Sequence, residues 1–120
     1  MLLLKNYLCF SMNDDRLIKL EAFLKENPSD PFLLFAIAKE YEKMDQIENA
    51  MNGYLKLREI KPDYIGLYYH LAKLYEVVSK DLKALEIYKE GIELAKSIGD
   101  FHALSELNNA KMNLEIQLGN

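Results

Sequence analysis

Tryptophan is absent from this chain, and cysteine, histidine, proline and glycine are scarce: its 120 residues include one cysteine, two histidines, three prolines and five glycines. Each scarcity closes a class of function. Cys9 alone cannot form an internal disulfide, and two histidines at positions 70 and 102 offer no metal-ligand spacing. No glycine-rich phosphate loop, paired-carboxylate motif or serine–histidine set is present, so neither a cofactor nor catalysis is expected. Basic residues are not in excess. The formal charge of −4 lacks the basic stripe that phosphate backbones require, which argues against a nucleic-acid partner. No apolar run approaches the roughly 18 residues of a membrane span, and no membrane role is expected. With half of the residues apolar and 28% charged, the composition is that of a folded chain, and the length suits a single domain. A reducing, cytoplasmic setting fits the cysteine usage.

The start of the chain, Met1 to Phe10, is rich in leucine and aromatics. It makes a poor targeting signal: no basic residue precedes the apolar run, Lys5 interrupts it, and no small-x-small cleavage site follows. Two readings stay open for residues 1–13. One is an apolar extension or degenerate helix that docks on the fold; the other is that residues 1–11 lie upstream of a true start at Met12. Cys9 has only Lys5 as a basic neighbour and reads as a small apolar residue, not a nucleophile.

Between the prolines and glycines, apolar residues recur at steps of three and four, the period of an amphipathic helix. Leu34, Ile37, Ala38 and Tyr41 mark one face and Ile47, Ala50, Tyr54 and Leu57 the next, with a turn at Met44 to Gln46. The pattern returns as Tyr68, Leu71, Ala72 and Tyr75, a turn around Ser79 to Asp81, then Leu85, Tyr88 and Ile92. Asp30 is placed to cap a helix beginning at Pro31, Pro62 to interrupt one, Asp63 to cap its successor, Gly99 to end a helix in the left-handed conformation, and Asp100 to cap the last. That last helix carries Ala103, Leu107, Ala110, Leu114 and Leu118 on one stripe, with Leu104, Met112 and Ile116 on a second. A shorter helix over Asp14 to Glu26, with Leu17, Leu20, Phe23 and Leu24, precedes the first hairpin. Six helices are predicted, in an all-α fold.

Residues 31–64 align with 65–98 without a gap, at an offset of 34, and eight positions are identical: Leu33/Leu67, Ala38/Ala72, Lys39/Lys73, Tyr41/Tyr75, Glu42/Glu76, Ala50/Ala84, Tyr54/Tyr88 and Glu59/Glu93. A 34-residue helix–turn–helix period is the signature of tetratricopeptide repeats. The chain resembles that family in its motif. The large-x-x-Leu-Gly-x-x-Tyr element appears as Leu34, Ile37, Ala38 and Tyr41, the Ala-x-x-x-Phe element as Ala50 and Tyr54, and the closing proline as Pro62. The second copy reads Tyr68, Leu71, Ala72, Tyr75, Ala84 and Tyr88. Leu57 and Gly91 stand where the family favours alanine, and Lys96 replaces the closing proline, departures expected to weaken the end of the second repeat. The resemblance implies a right-handed α-solenoid of antiparallel hairpins over 14–120: a half repeat at 14–30, repeats at 31–64 and 65–98, and a capping helix at 101–118. One hairpin cannot bury its apolar face alone, so stacking is expected.

The resemblance further implies that the first helix of each hairpin lines a concave groove. Phe32, Phe35, Lys39 and Glu42 then lie on that face from one hairpin, and Gly66, Tyr69, His70, Lys73 and Glu76 from the next. Aromatics beside two lysines suit a protein or peptide segment that is acidic or ends in a carboxylate and offers an apolar anchor. The chaperone-tail-binding members hold a terminal carboxylate with lysine, asparagine and arginine. Phe35 and Tyr69 replace polar or basic groups of that set, so that specificity does not carry over. His70 has no carboxylate three or four residues away to orient it, and His102 with Glu106 reads as an exposed pair. The expected function is a non-catalytic protein–protein interaction module, such as a scaffold or adaptor. The alternative is a self-associating module that forms a homodimer through the apolar start.

Overall fold

A computed structural model describes residues 15–119, all of whose regular structure is helical. Six helices are present there: α1 (15–26), α2 (Pro31–Lys43), α3 (Ile47–Ile60), α4 (Gly66–Val77), α5 (Asp81–Ile98) and α6 (Phe101–Gly119). The expectations for Met1 to Phe10 and Cys9, including docking and dimerisation, lie outside the described residues. No helix among the described residues is long and apolar enough to cross a membrane, and no group of three metal-ligating side chains occurs among them. The chain divides after Ile60 into two compact units.

In the first unit, the Asp30 side chain accepts hydrogen bonds from the amides of Phe32 and Leu33, at 2.9 and 3.4 Å, while Pro31 occupies the first helical position, where its missing N–H costs nothing. The helix α2 buries Leu33, Leu34, Ile37 and Ala38 and packs on α3, which buries Ala50, Tyr54 and Leu57. Close approach is built into both helices. Ala38 and Ala50 are wholly buried, and a Cβ added at Gly53 would lie 3.0 Å from the Cβ of Ala38. The turn falls at Met44 to Gln46, as the sequence predicts, with Asp45 at φ 60° and the Gln46 amide donating to the Tyr41 carbonyl at 2.9 Å. Upstream, α1 contributes the buried Leu17.

The second unit repeats this design: α4 buries Leu67, Tyr68, Leu71, Ala72, Leu74 and Tyr75, and α5 buries Ala84, Ile87, Tyr88, Gly91, Ile92 and Ala95. Its turn comes one residue earlier than expected, at Val78 to Lys80, because Ser79 takes the left-handed conformation (φ 61°) and the Lys80 amide closes onto the Tyr75 carbonyl at 2.8 Å. Asp81 is therefore already helical. Asp63 does not cap α4. The cap position is Ile65, two residues further on, with no side-chain hydrogen bond, and Asp63 instead pairs with Lys61 at 3.3 Å.

Gly91, expected as a weakness, is a packing residue. A Cβ there would lie 2.8 Å from the Cβ of Tyr68 and 3.0 Å from Cδ1 of Leu107, so glycine is what lets α5 meet α4 and α6 together. The helix then runs past Lys96 to a left-handed C-cap at Gly99 (φ 74°), and Asp100 caps α6 by accepting from the Ala103 amide at 3.0 Å. The helix α6 buries Leu107, Ala110 and Leu114. Leu118 is exposed, as are Met112 and Ile116 of the second stripe.

Candidate functional site

A tyrosine-to-glutamate hydrogen bond links the two helices of each hairpin. In the first unit the Tyr54 hydroxyl donates to Glu42 Oε1 at 2.7 Å, and in the second the Tyr88 hydroxyl donates to Glu76. Burial, reinforced by the accepting carboxylate, pushes both phenols well above their ordinary range. Tyr41 is raised too, by burial and by Glu21, which accepts its hydroxyl at 3.2 Å and links α2 to α1. Two residues expected to meet a partner, Glu42 and Glu76, thus also hold their own hairpins closed.

The lysines recur on the same helical face as an aromatic. Lys39 Nζ lies 5.5 Å from the centre of the Phe35 ring, and Lys73 Nζ lies 5.8 Å from that of Tyr69, both within cation–π range. Lys73 also approaches Glu76 at 3.9 Å. Phe35 leans on Tyr54 with ring centres 5.9 Å apart, which fixes its orientation from beneath, and Tyr69 meets His70 edge-on at 5.8 Å. Phe32 is exposed. The structure therefore brings Phe35 to Lys39 on α2, and Tyr69 to His70 and Lys73 on α4. The expected pair of His102 and Glu106 does not form: both are exposed, with no ion pair between them among the described residues.

One group was missed. Glu40, inside α2, is buried, and its Oε1 receives Arg16 Nε of α1 at 2.9 Å and lies 3.6 Å from Lys43 Nζ. With Arg16, Phe32, Phe35, Ala36, Lys39 and Lys43 it lines a cleft of about 200 Å³. The only signal in the sequence is its register: 34 residues on, the same position is Leu74.

No family model and no curated protein sequence matches the chain. Solved structures do. A tetratricopeptide repeat domain protein from Salinibacter ruber is 43% identical, the match covering 72% of this chain and 96% of that one, with a TM-score of 0.70. This chain belongs to the tetratricopeptide repeat family. At the level of fold alone, it is also similar to the TPR2B domain of yeast Sti1 in complex with Hsp70 (18% identity, 94% and 90% of the two chains, TM-score 0.81). The first TPR of Spaghetti, bound to the HSP90 peptide SRMEEVD, is similar too (16%, 97% and 87%, TM-score 0.78). In a tetratricopeptide chain several of the 34-residue identities gain a physical reason: the alanines set helix spacing, Tyr54 with Glu42 and Tyr88 with Glu76 link the two helices of each hairpin, and Lys39 and Lys73 keep their charges at the surface.

Proposed function

We propose that this tetratricopeptide chain is a non-catalytic protein-interaction module that binds an acidic or carboxylate-terminated peptide segment. Residues 14–30 are read as a half repeat, 31–64 and 65–98 as full repeats, and 101–118 as a capping helix. The observation that supports the reading best is the recurrence of a lysine over an aromatic ring, Lys39 with Phe35 and Lys73 with Tyr69, on the first helix of each hairpin. Phe32 and Glu42 complete the α2 face and His70 and Glu76 the α4 face, the faces that family resemblance assigns to the concave side. Solved relatives in peptide complexes, with Hsp70 for the yeast Sti1 domain and SRMEEVD for Spaghetti, favour a peptide ligand.

On this reading the lysines supply partly screened charge and the aromatics the anchoring area. The test is capture of partners from native lysate by the wild-type chain and by a Lys39→Glu/Lys73→Glu variant, at low and high salt. The double reversal should leave the helical spectrum intact and weaken capture, most at low salt. Truncating Tyr69 should weaken it more than truncating either lysine. Undiminished capture by the double variant would reject these faces.

A further inference from the structure

The 34-residue period fails at a buried position where failure is costly. Leu74 in α4 is 3% exposed and its counterpart in α2, Glu40, is 2% exposed. A packing position that accepts leucine in one hairpin holds a carboxylate in the other. That carboxylate is half satisfied: Oε1 is held by Arg16 and Lys43, whereas Oε2 is buried with no hydrogen-bond partner among the described residues. Buried polar atoms without partners are uncommon, and exchanging a buried ion pair for packed apolar side chains is often neutral or stabilising, so packing gives no reason for glutamate here.

The surroundings supply one. Glu40 lines the cleft with three cations, Arg16, Lys39 and Lys43, for a net formal charge of +2 (three positive, one negative). Arg16 and Lys43 keep 65% and 61% of their side chains exposed. Arg16 meets Glu40 through Nε and keeps most of its side chain exposed, and a guanidinium has further N–H donors in the fork geometry that suits a carboxylate. The rings of Phe32 and Phe35 offer apolar contact on the same cleft, and Oε2 can accept one N–H. At about 200 Å³ the cleft is smaller than the roughly 300–1,000 Å³ of small-molecule pockets and suits a side chain or two.

Resting on the reading of this chain as a peptide-binding module, we infer that the cleft between α1 and α2 is a subsite for one acidic residue of the bound peptide. The peptide's carboxylate pairs with Arg16 and the two lysines, a neighbouring apolar side chain lies against Phe32 and Phe35, and a peptide amide donates to Glu40 Oε2. Glu40 is a positioning residue that fixes Arg16.

Random phage-displayed peptides selected on the full wild-type chain provide the probe. The expected enrichment is an Asp or Glu adjacent to an aromatic or aliphatic residue. The lead peptide should bind Glu40→Leu, which copies the second hairpin, about tenfold more weakly, the factor expected from losing one charge-assisted contact. Glu40→Leu should melt no lower than wild type, a result that a merely structural role for Glu40 would not give. Independently of any variant, the lead peptide should shift the Arg16 Nε–H and Glu40 amide resonances of the wild-type chain. Equal binding by Glu40→Leu, or shifts confined to Tyr69, His70 and Lys73, would overturn the subsite while leaving the interaction module standing. Failure to enrich any peptide would overturn both.

Discussion

The two hairpins of this chain are built to one plan and filled differently. Shared are the turns with a left-handed residue (Asp45, Ser79), the wholly buried alanines (Ala38 and Ala50, Ala72 and Ala84) and the tyrosine-to-glutamate link. They diverge at most other positions, and three of those pairs show how. Glu40 answers Leu74, Gly53 answers the buried Ile87, and the wholly buried Leu57 answers Gly91. The glycines show what this means. The first hairpin lets its helices approach at Gly53 against Ala38; the second makes room at Gly91, where α5 touches both Tyr68 and Leu107. The repeat conserves spacing and hydrogen bonding, and each hairpin distributes volume to suit its own neighbours.

The largest expected effect comes from forcing one pattern onto the other. Leu57→Gly should destabilise the chain by about 3–6 kcal/mol, combining the roughly 2–5 kcal/mol of a large core truncation with about 1 kcal/mol for glycine inside a helix. The converse, Gly91→Leu, should cost about 3 kcal/mol by overpacking, since its Cβ meets the backbone-anchored Cβ of Tyr68 and not a side-chain tip. Urea unfolding of both variants checks this. If the two substitutions were harmless, the position would be interchangeable between repeats and the family's preference for alanine there would be no more than a habit of sequence.

How much was legible in advance follows the same division. Periodic features could be read: α2 to α6, the buried alanines, the Asp30 and Asp100 caps and the αL glycine at 99, because each rests on local spacing or on two matching copies. Features that depend on a neighbour could not. Gly91 reads as a defect until Tyr68 and Leu107 are seen beside it, and Asp63 reads as a cap because nothing local reveals that α4 begins three residues later. On the candidate faces, the lysine and aromatic positions were legible. The commitment of Glu42 and Glu76 to tyrosine hydroxyls and the burial of Glu40 against Arg16 were not, since both need the partner helix.

Alkaline pH probes the shared part of the plan. Tyr54 and Tyr88 keep their protons well above pH 10 in the folded chain, while in the unfolded chain they ionise near 10. Their contribution is therefore fully present below about pH 10. Above it the unfolded state sheds protons that the native state retains, so stability falls by about 1.4 kcal/mol per pH unit for each such tyrosine. Melting temperatures between pH 8 and pH 11.5 should be flat at first and then drop, and Tyr54→Phe and Tyr88→Phe should each reduce the slope. A steep fall in the double phenylalanine variant would assign the alkaline lability to other groups.

The smallest effect is the one that tests equivalence of the hairpins most directly. At neutral pH, Tyr54→Phe and Tyr88→Phe remove only a hydroxyl from positions that are otherwise fully buried, leaving the ring packing in place and one glutamate oxygen without that donor. Each should cost about 1.5–3 kcal/mol, the range for a hydrogen bond to a charged group. If the hairpins are equivalent the two costs should be similar, and in the double variant they should add within about 0.5 kcal/mol, the usual margin for independent sites. A clear inequality in urea midpoints at constant slope would show that the tyrosine link, although repeated in geometry, bears load in only one hairpin. The one that proved expendable would then be free to release its glutamate to a bound peptide.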